Sequence, residues 1–269
     1  MAVVLTDATG CLLKFDVSPV RIISLVPSLT ELLVDLGLKE RLVGITKFCV
    51  HPKTLKDDIA IVGGTKQVDF HKISALKPDI IICNKEENTE EIVATLRELT
   101  QVHVSDINDL DDVIRLIEDY GVLFGTRKNT TALIDALQVE IHNFSAFMKG
   151  RPVFEVLYLI WRKPWMTIGG DTFIHHMLSL CNLKNIFGDL KRYPLTEANY
   201  PLPEPDFVFM SSEPFPFKEK HKDEVNAVFG GKPLLVDGEF FSWYGSRLLN
   251  AFDYFKDLRV EIERIQAER

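Results

Sequence analysis

Four aromatic side chains occupy five consecutive positions near the end of the chain: Phe240, Phe241, Trp243 and Tyr244 surround Ser242, and Gly245-Ser246-Arg247 follows directly. Flat apolar faces at that density suit stacking on a large planar ligand, and a cation beside them suits an anionic group on its rim. The competing reading is a core plug ahead of a helix start. Loop tips usually cannot bury such rings, which favours the ligand wall. A second set lies in "WRKPWMTIGGDT", residues 161–172, where Trp161 and Trp165 frame Arg162 and Lys163. Arg162 and Lys163, like Lys85 in "NKEEN", suit the edge of an anionic ligand, with plain solvated charge as the alternative.

Other residue types carry weaker signals. His51 and His71 fall in loops that could face one another, yet a zinc site needs three or four ligands. His175 and His176 are adjacent on a predicted helix, so they cannot both face one metal. Ser28 stands ahead of a predicted helix and reads first as its N-cap. Gly63-Gly64 marks a turn or a close backbone approach, and neither a P-loop nor a dinucleotide fingerprint is present. The chain also lacks G-x-S-x-G, H-E-x-x-H and a framed Cys/His pair, which counts against an enzyme. Cys11, Cys49, Cys83 and Cys181 are scattered with no C-x-x-C pair, so free thiols are expected.

The elements that must position these residues alternate. "RIISLVPSLTELLVDLGL" reads as a strand over 21–25 and then a helix. "RLVGIT", "DIIIC" and "QVHVSD" read as further strands with helices between them, the pattern of a parallel sheet flanked by helices. The alternation stops at residues 129–149, where Leu133, Leu137, Ile141, Phe144 and Met148 form one apolar stripe. That is one helix about 31 Å long, with Asn129 placed to cap its start and Gly150 its end. Strands at "PVFEVLYLI", "DFVFM" and "KPLLVDG" then resume the pattern. The expected fold is α/β: two Rossmann-like lobes with parallel sheets joined by one long helix. Its divisions are an N-terminal lobe over 1–126, the helix over 127–150 and a C-terminal lobe over 151–269. Ligands in such sheets bind beyond the carboxyl ends of strands, where the aromatic loops fall.

Bulk properties agree with an ordinary globular chain. The 269 residues carry a net charge of -8, which argues against a nucleic-acid surface. No apolar run approaches a membrane span, and the start lacks a secretory pattern. As written the chain is expected in the cytoplasm, or in the periplasm where a leader has been removed.

"RIISLVPSLTELLVDLGL", "VGG", "ISALKPDIIIC" and "KPLLVDGEFFSWYGSR" resemble the vitamin B12-binding and ferric-siderophore-binding proteins of ABC importers, the helical-backbone metal receptor superfamily. The resemblance spans nearly the whole chain. It implies a monomeric, non-catalytic binding protein that closes only slightly around a metal chelate held between its lobes. A corrinoid is implied first, a ferric siderophore or haem next, with no intrinsic cofactor. Within it, Phe48 takes a tyrosine's place, Phe240 takes a tryptophan's, and Thr65 falls where the first lobe would supply a tryptophan. Trp161, Trp165, Trp243 and Tyr244 are the rings available to replace that wall, with Lys85, Arg162 or Arg247 on the ligand's edge. The acids by which the family docks on its permease fall at His71 and Ser242, with Asp69 and Glu239 nearby, so a permease partner is an open expectation. The alternatives are a cytoplasmic enzyme or chelatase acting on a tetrapyrrole, and direct binding of zinc or manganese.

Overall fold

The computed structural model describes residues 3–196 and 204–268, and its contacts divide into two compact units. The first opens with an antiparallel hairpin of β1 (Val3–Thr6) and β2 (Leu12–Phe15). It continues through β3 (Ile22–Ser24), α1 (Pro27–Asp35), β4 (Leu42–Ile45), α2 (Leu55–Asp58), β5 (Ala60–Ile61), α3 (Phe70–Ala75), β6 (Ile80–Asn84), α4 (Glu90–Arg97), β7 (Gln101–Ser105) and α5 (Leu110–Leu123). The strands β5-β4-β3-β6-β7 pair in parallel in that order. Strands β3 and β6 are buried at every position, as a parallel sheet covered on both faces requires. This is why they read as unbroken apolar runs in the sequence. Ile23, Ile81, Val93, Leu96 and Val104 form part of one core cluster. Helix starts obey local chemistry: the Thr89 and Asp109 side chains accept from the N–H groups of Ile92 and Asp112, and acidic residues follow in both first turns.

The long helix α6 runs Arg127–Met148, and the division between units falls within it, after Leu137. Asn129 does not cap it. It lies inside the first turn, and its amide donates to the Leu36 carbonyl at 2.8 Å, closing the end of α1. Gly150, at φ +77°, follows the helix end in the left-handed conformation that favours glycine.

The second unit holds β8 (Phe154–Leu159), α7 (Phe173–Leu180), β9 (Leu183–Asn185), β10 (Phe207–Ser211), α8 (Lys222–Phe229), β11 (Lys232–Val236), α9 (Gly238–Ser242) and α10 (Leu248–Ala267). Its sheet is parallel throughout, ordered β11-β10-β8-β9. Between α9 and α10 the chain returns to the first unit for four residues, 244–247. Gly245 makes that return fit: its φ is +105°, and a Cβ there would stand 3.2 Å from the Leu32 side chain.

Candidate functional site

In the first unit, the loops at the carboxyl ends of the parallel strands form a continuous polar assembly. Asn84, the last residue of β6, is buried and donates through Nδ2 to the Ser105 carbonyl at 3.2 Å. Its backbone N–H goes to Asn88 Oδ1 at 2.9 Å, and Asn88 Nδ2 reaches the Thr65 carbonyl at 2.9 Å. These bonds hold the loop of residues 84–88 against the turn after β5. Thr65 is itself buried, so its position supplies support and no ring. The half-buried Glu87 lies against the Thr65 hydroxyl, and burial pushes its carboxyl up from the ordinary range against the pull of nearby Lys66. Tyr244 is buried beside Ser105 and Ser28, and burial pushes its phenol well up as well. Ser28 is thereby part of this assembly and not the helix cap: the N-cap of α1 is Val26, with Pro27 opening the helix.

Phe48, beyond β4, is the exposed ring of this unit at 50%. Its base is set by Gly64, where an added Cβ would lie 3.1 Å from the ring, and Lys47 stands over its face at 5.1 Å. Gly63, at φ +124° with its Cβ position 2.5 Å from the Gln67 carbonyl, permits the turn beneath.

In the second unit, Trp161 follows β8 and keeps 40% of its surface exposed, with its ring edge-on to Phe215 at 5.9 Å. The bridge between Trp161 and Met166 closes this loop into a fixed turn. Trp165, expected to share the wall, turns inward instead. It stacks on Phe217 at 6.2 Å, meets Phe229 edge-on at 5.4 Å and packs on the core of Leu157, Val208 and Met210.

The run from Phe240 to Tyr244 separates into distinct roles. Phe241 is fully buried among Tyr158 and Phe255, at 5.2 and 4.8 Å, so the core-plug reading holds for that ring. Phe240 is half-buried and stacks on Tyr254 at 4.8 Å. Trp243 keeps 8% exposure, and its Nε1 donates to Glu213 at 3.0 Å. The same carboxylate oxygen accepts from Ser242 at 2.5 Å.

The three cations assigned to a ligand's edge are already held by carboxylates. Arg247 grips Glu31 through two bonds of 2.8 and 2.9 Å, Lys85 pairs with Asp106 at 2.7 Å, and Arg162 pairs with Glu224 at 2.7 Å. Arg247 is therefore not turned loose to solvent. Among the histidines, His175 sits 3.4 Å from Asn185 with its pKa lowered by burial, and His176 faces Phe173. His71 is exposed on α3, and Asp69 ahead of it caps that helix. Among the described residues no three His, Cys, Asp or Glu side chains lie together as a metal site. Sequence reasoning passed over Asn84, Glu87, Asn88, Ser105 and Phe215. The signal that could have found most of them is a polar residue directly after an apolar strand run.

Comparison with known proteins identifies the scaffold. The family described as periplasmic binding protein matches residues 22–226. The uncharacterized ABC transporter substrate-binding lipoprotein YvrC of Bacillus subtilis is 25% identical over 263 residues, covering 93% of this chain and 83% of that protein. A vitamin B12-binding protein of Vibrio cholerae is 27% identical over 203 residues, covering 72% of this chain and 70% of its own. Among solved structures, the periplasmic heme-binding protein RhuT of Roseiflexus sp. RS-1 superposes with a TM-score of 0.75 at 18% identity, over 90% of this chain and 97% of that one. Relatives named as lipoprotein and periplasmic lend no support to the cytoplasmic expectation, and none of the three is named as an enzyme. The parallel sheets with polar and aromatic loops at their strand ends, joined to a family match across most of its length, make this chain a member of the periplasmic binding protein family.

Proposed function

We propose that this substrate-binding protein takes a metal-containing cofactor or chelate, a corrinoid of the cobalamin type ahead of haem or a ferric siderophore. It does so outside the cytoplasmic membrane and delivers the ligand to an ABC permease. The observation that carries the reading is the pair of exposed rings on fixed strand-end loops, Phe48 at 50% and Trp161 at 40%. An aromatic held open on a rigid turn offers a face for stacking at little entropic cost, because the loop is already ordered. Half-buried Phe240 and Phe215 extend the apolar surface of the second unit. The relatives named for vitamin B12 and haem support this ligand class.

The test is a titration of the purified chain with cyanocobalamin, haemin and a ferric catecholate, followed by ligand absorbance and tryptophan fluorescence. Micromolar or tighter binding of one of them is expected. A chain that perturbs none of the three spectra refutes the ligand class. Co-purification with a permease expressed from the same cell tests delivery separately.

A further inference from the structure

One short segment of the second unit, residues 218–224, holds both loops of the ring pair Trp161 and Phe215. The two rings meet edge-on at 5.9 Å, and the Phe215 N–H donates to the Ile160 carbonyl at 3.2 Å. Directly after Trp161, Arg162 and Lys163 both pair with Glu224 in the first turn of α8, at 2.7 and 3.2 Å. On the Phe215 side stands His221, in the single turn Glu219–His221 that leads into that helix. Its imidazole is buried, 5.6 Å from the Phe215 ring and 5.8 Å from Phe217. Its Nδ1 accepts the Lys218 N–H at 3.0 Å, and its backbone N–H donates to the Lys218 carbonyl at 2.9 Å.

This arrangement needs a neutral imidazole. Nδ1 must keep a lone pair for the Lys218 N–H, and a proton there sets donor against donor. The added charge would also be badly placed. Arg162 from the loop after β8, with Lys218 and Lys220 from its own turn, opposes it. The facing carboxylate of Glu224 already serves Arg162 and Lys163. Burial first, and then these cations, hold the imidazole below its ordinary 6.5. It is neutral at pH 7, and acid turns it into a cation among cations.

We infer that His221 is a positioning residue for Trp161, acting through Phe215, and that protonating it frees the ring pair and lowers affinity for ligand. This rests on Trp161 as a ligand-facing ring and adds acid-driven release to that reading. The proton enters at Nδ1, and the Lys218 N–H loses its acceptor. The turn that backs Phe215 then keeps only one of its two closing bonds, and Phe215 no longer fixes the face of Trp161.

The experiment uses the full chain with the variants His221→Asn and His221→Gln, which keep an acceptor oxygen and cannot titrate. Far-ultraviolet circular dichroism follows the fold at each pH. The ligand-free readout is the near-ultraviolet circular dichroism of Trp161, obtained by subtracting the spectrum of the matching Trp161→Ala chain. In wild type that signal should be present at about pH 7.5 and largely lost at about pH 5. In the two variants it should persist at both. Cyanocobalamin affinity should fall about fivefold in wild type over the same interval and change less than about twofold in the variants, the scale of one hydrogen bond. A Trp161 signal that ignores pH in wild type, or that changes equally in the variants, overturns the inference. Binding of neither cyanocobalamin, haemin nor the ferric catecholate at about pH 7.5 overturns the proposed function instead, and the Trp161 signal still decides the role of His221.

Discussion

Replacing Trp161 with Ala separates a ligand wall from a packing ring. The side chain exposes 40% of its surface. A tryptophan presents up to about 250 Å², so about 100 Å² is open to a ligand. At about 25 cal/mol per Å², covering that face contributes about 2.5 kcal/mol, roughly 60-fold in Kd. The cost to the fold is the edge contact with Phe215 at 5.9 Å, worth about 1 kcal/mol. Phe241→Ala is the counterpart. That ring is fully buried against Tyr158, Phe209 and Phe255, and its removal should cost about 3–5 kcal/mol of stability. In melting temperature that is a fall of about 10 °C. Both variants are to be melted by circular dichroism and titrated with cyanocobalamin. The expected pattern is a large affinity loss with a small melting shift for Trp161→Ala, and a large melting shift for Phe241→Ala. Trp161→Ala binding within twofold of wild type would refute the wall.

Acid should weaken the first unit through His103, which burial beside Tyr120 holds to a pKa of about 4 against an ordinary 6.5. The unfolded chain takes up that proton from pH 6.5 downward and the folded chain does not until about pH 4. Stability therefore falls across that window by about 3 kcal/mol, and His103→Gln should flatten the slope measured by urea unfolding at several pH values. Arg247→Ala should cost about 2 kcal/mol at pH 7, since Glu31 is left without its bidentate partner. Burial pushes the Glu31 carboxyl up, so the deficit should shrink on acidification as it protonates. A deficit that is constant from pH 7 to 5 would show that the pair does not act through charge.

Much of the scaffold is written locally. Strands β3, β6, β8 and β10 are apolar because both faces of a parallel sheet are covered, and that pattern survives in one dimension. Helices α4, α5 and α7 begin where Thr89, Asp109 and Thr172 can accept from their own first turn. The β1–β2 hairpin, β5 and β9 leave little trace, because segments of two to four residues carry too few side chains to establish a period. Asn129 shows the limit of reading caps from residue type. Its amide is satisfied by the Leu36 carbonyl, distant in sequence, and no local rule announces that partner.

The aromatic run from Phe240 to Tyr244 is where sequence and tertiary structure divide the work. Composition and the strand-end position of these loops determined that rings would gather there. Which rings face outward was decided by α9, a five-residue helix capped by Asp237. Successive side chains on a helix diverge by about 100°, so Phe241 enters the core while Phe240 lies on Tyr254. Trp243 then leaves the helix in extended conformation toward Glu213, and Tyr244 belongs to the other unit. Likewise, the charges of Lys85, Arg162 and Arg247 were evident from the sequence. Their carboxylate partners lie 21, 62 and 216 residues away, and only the folded chain brings those partners within reach.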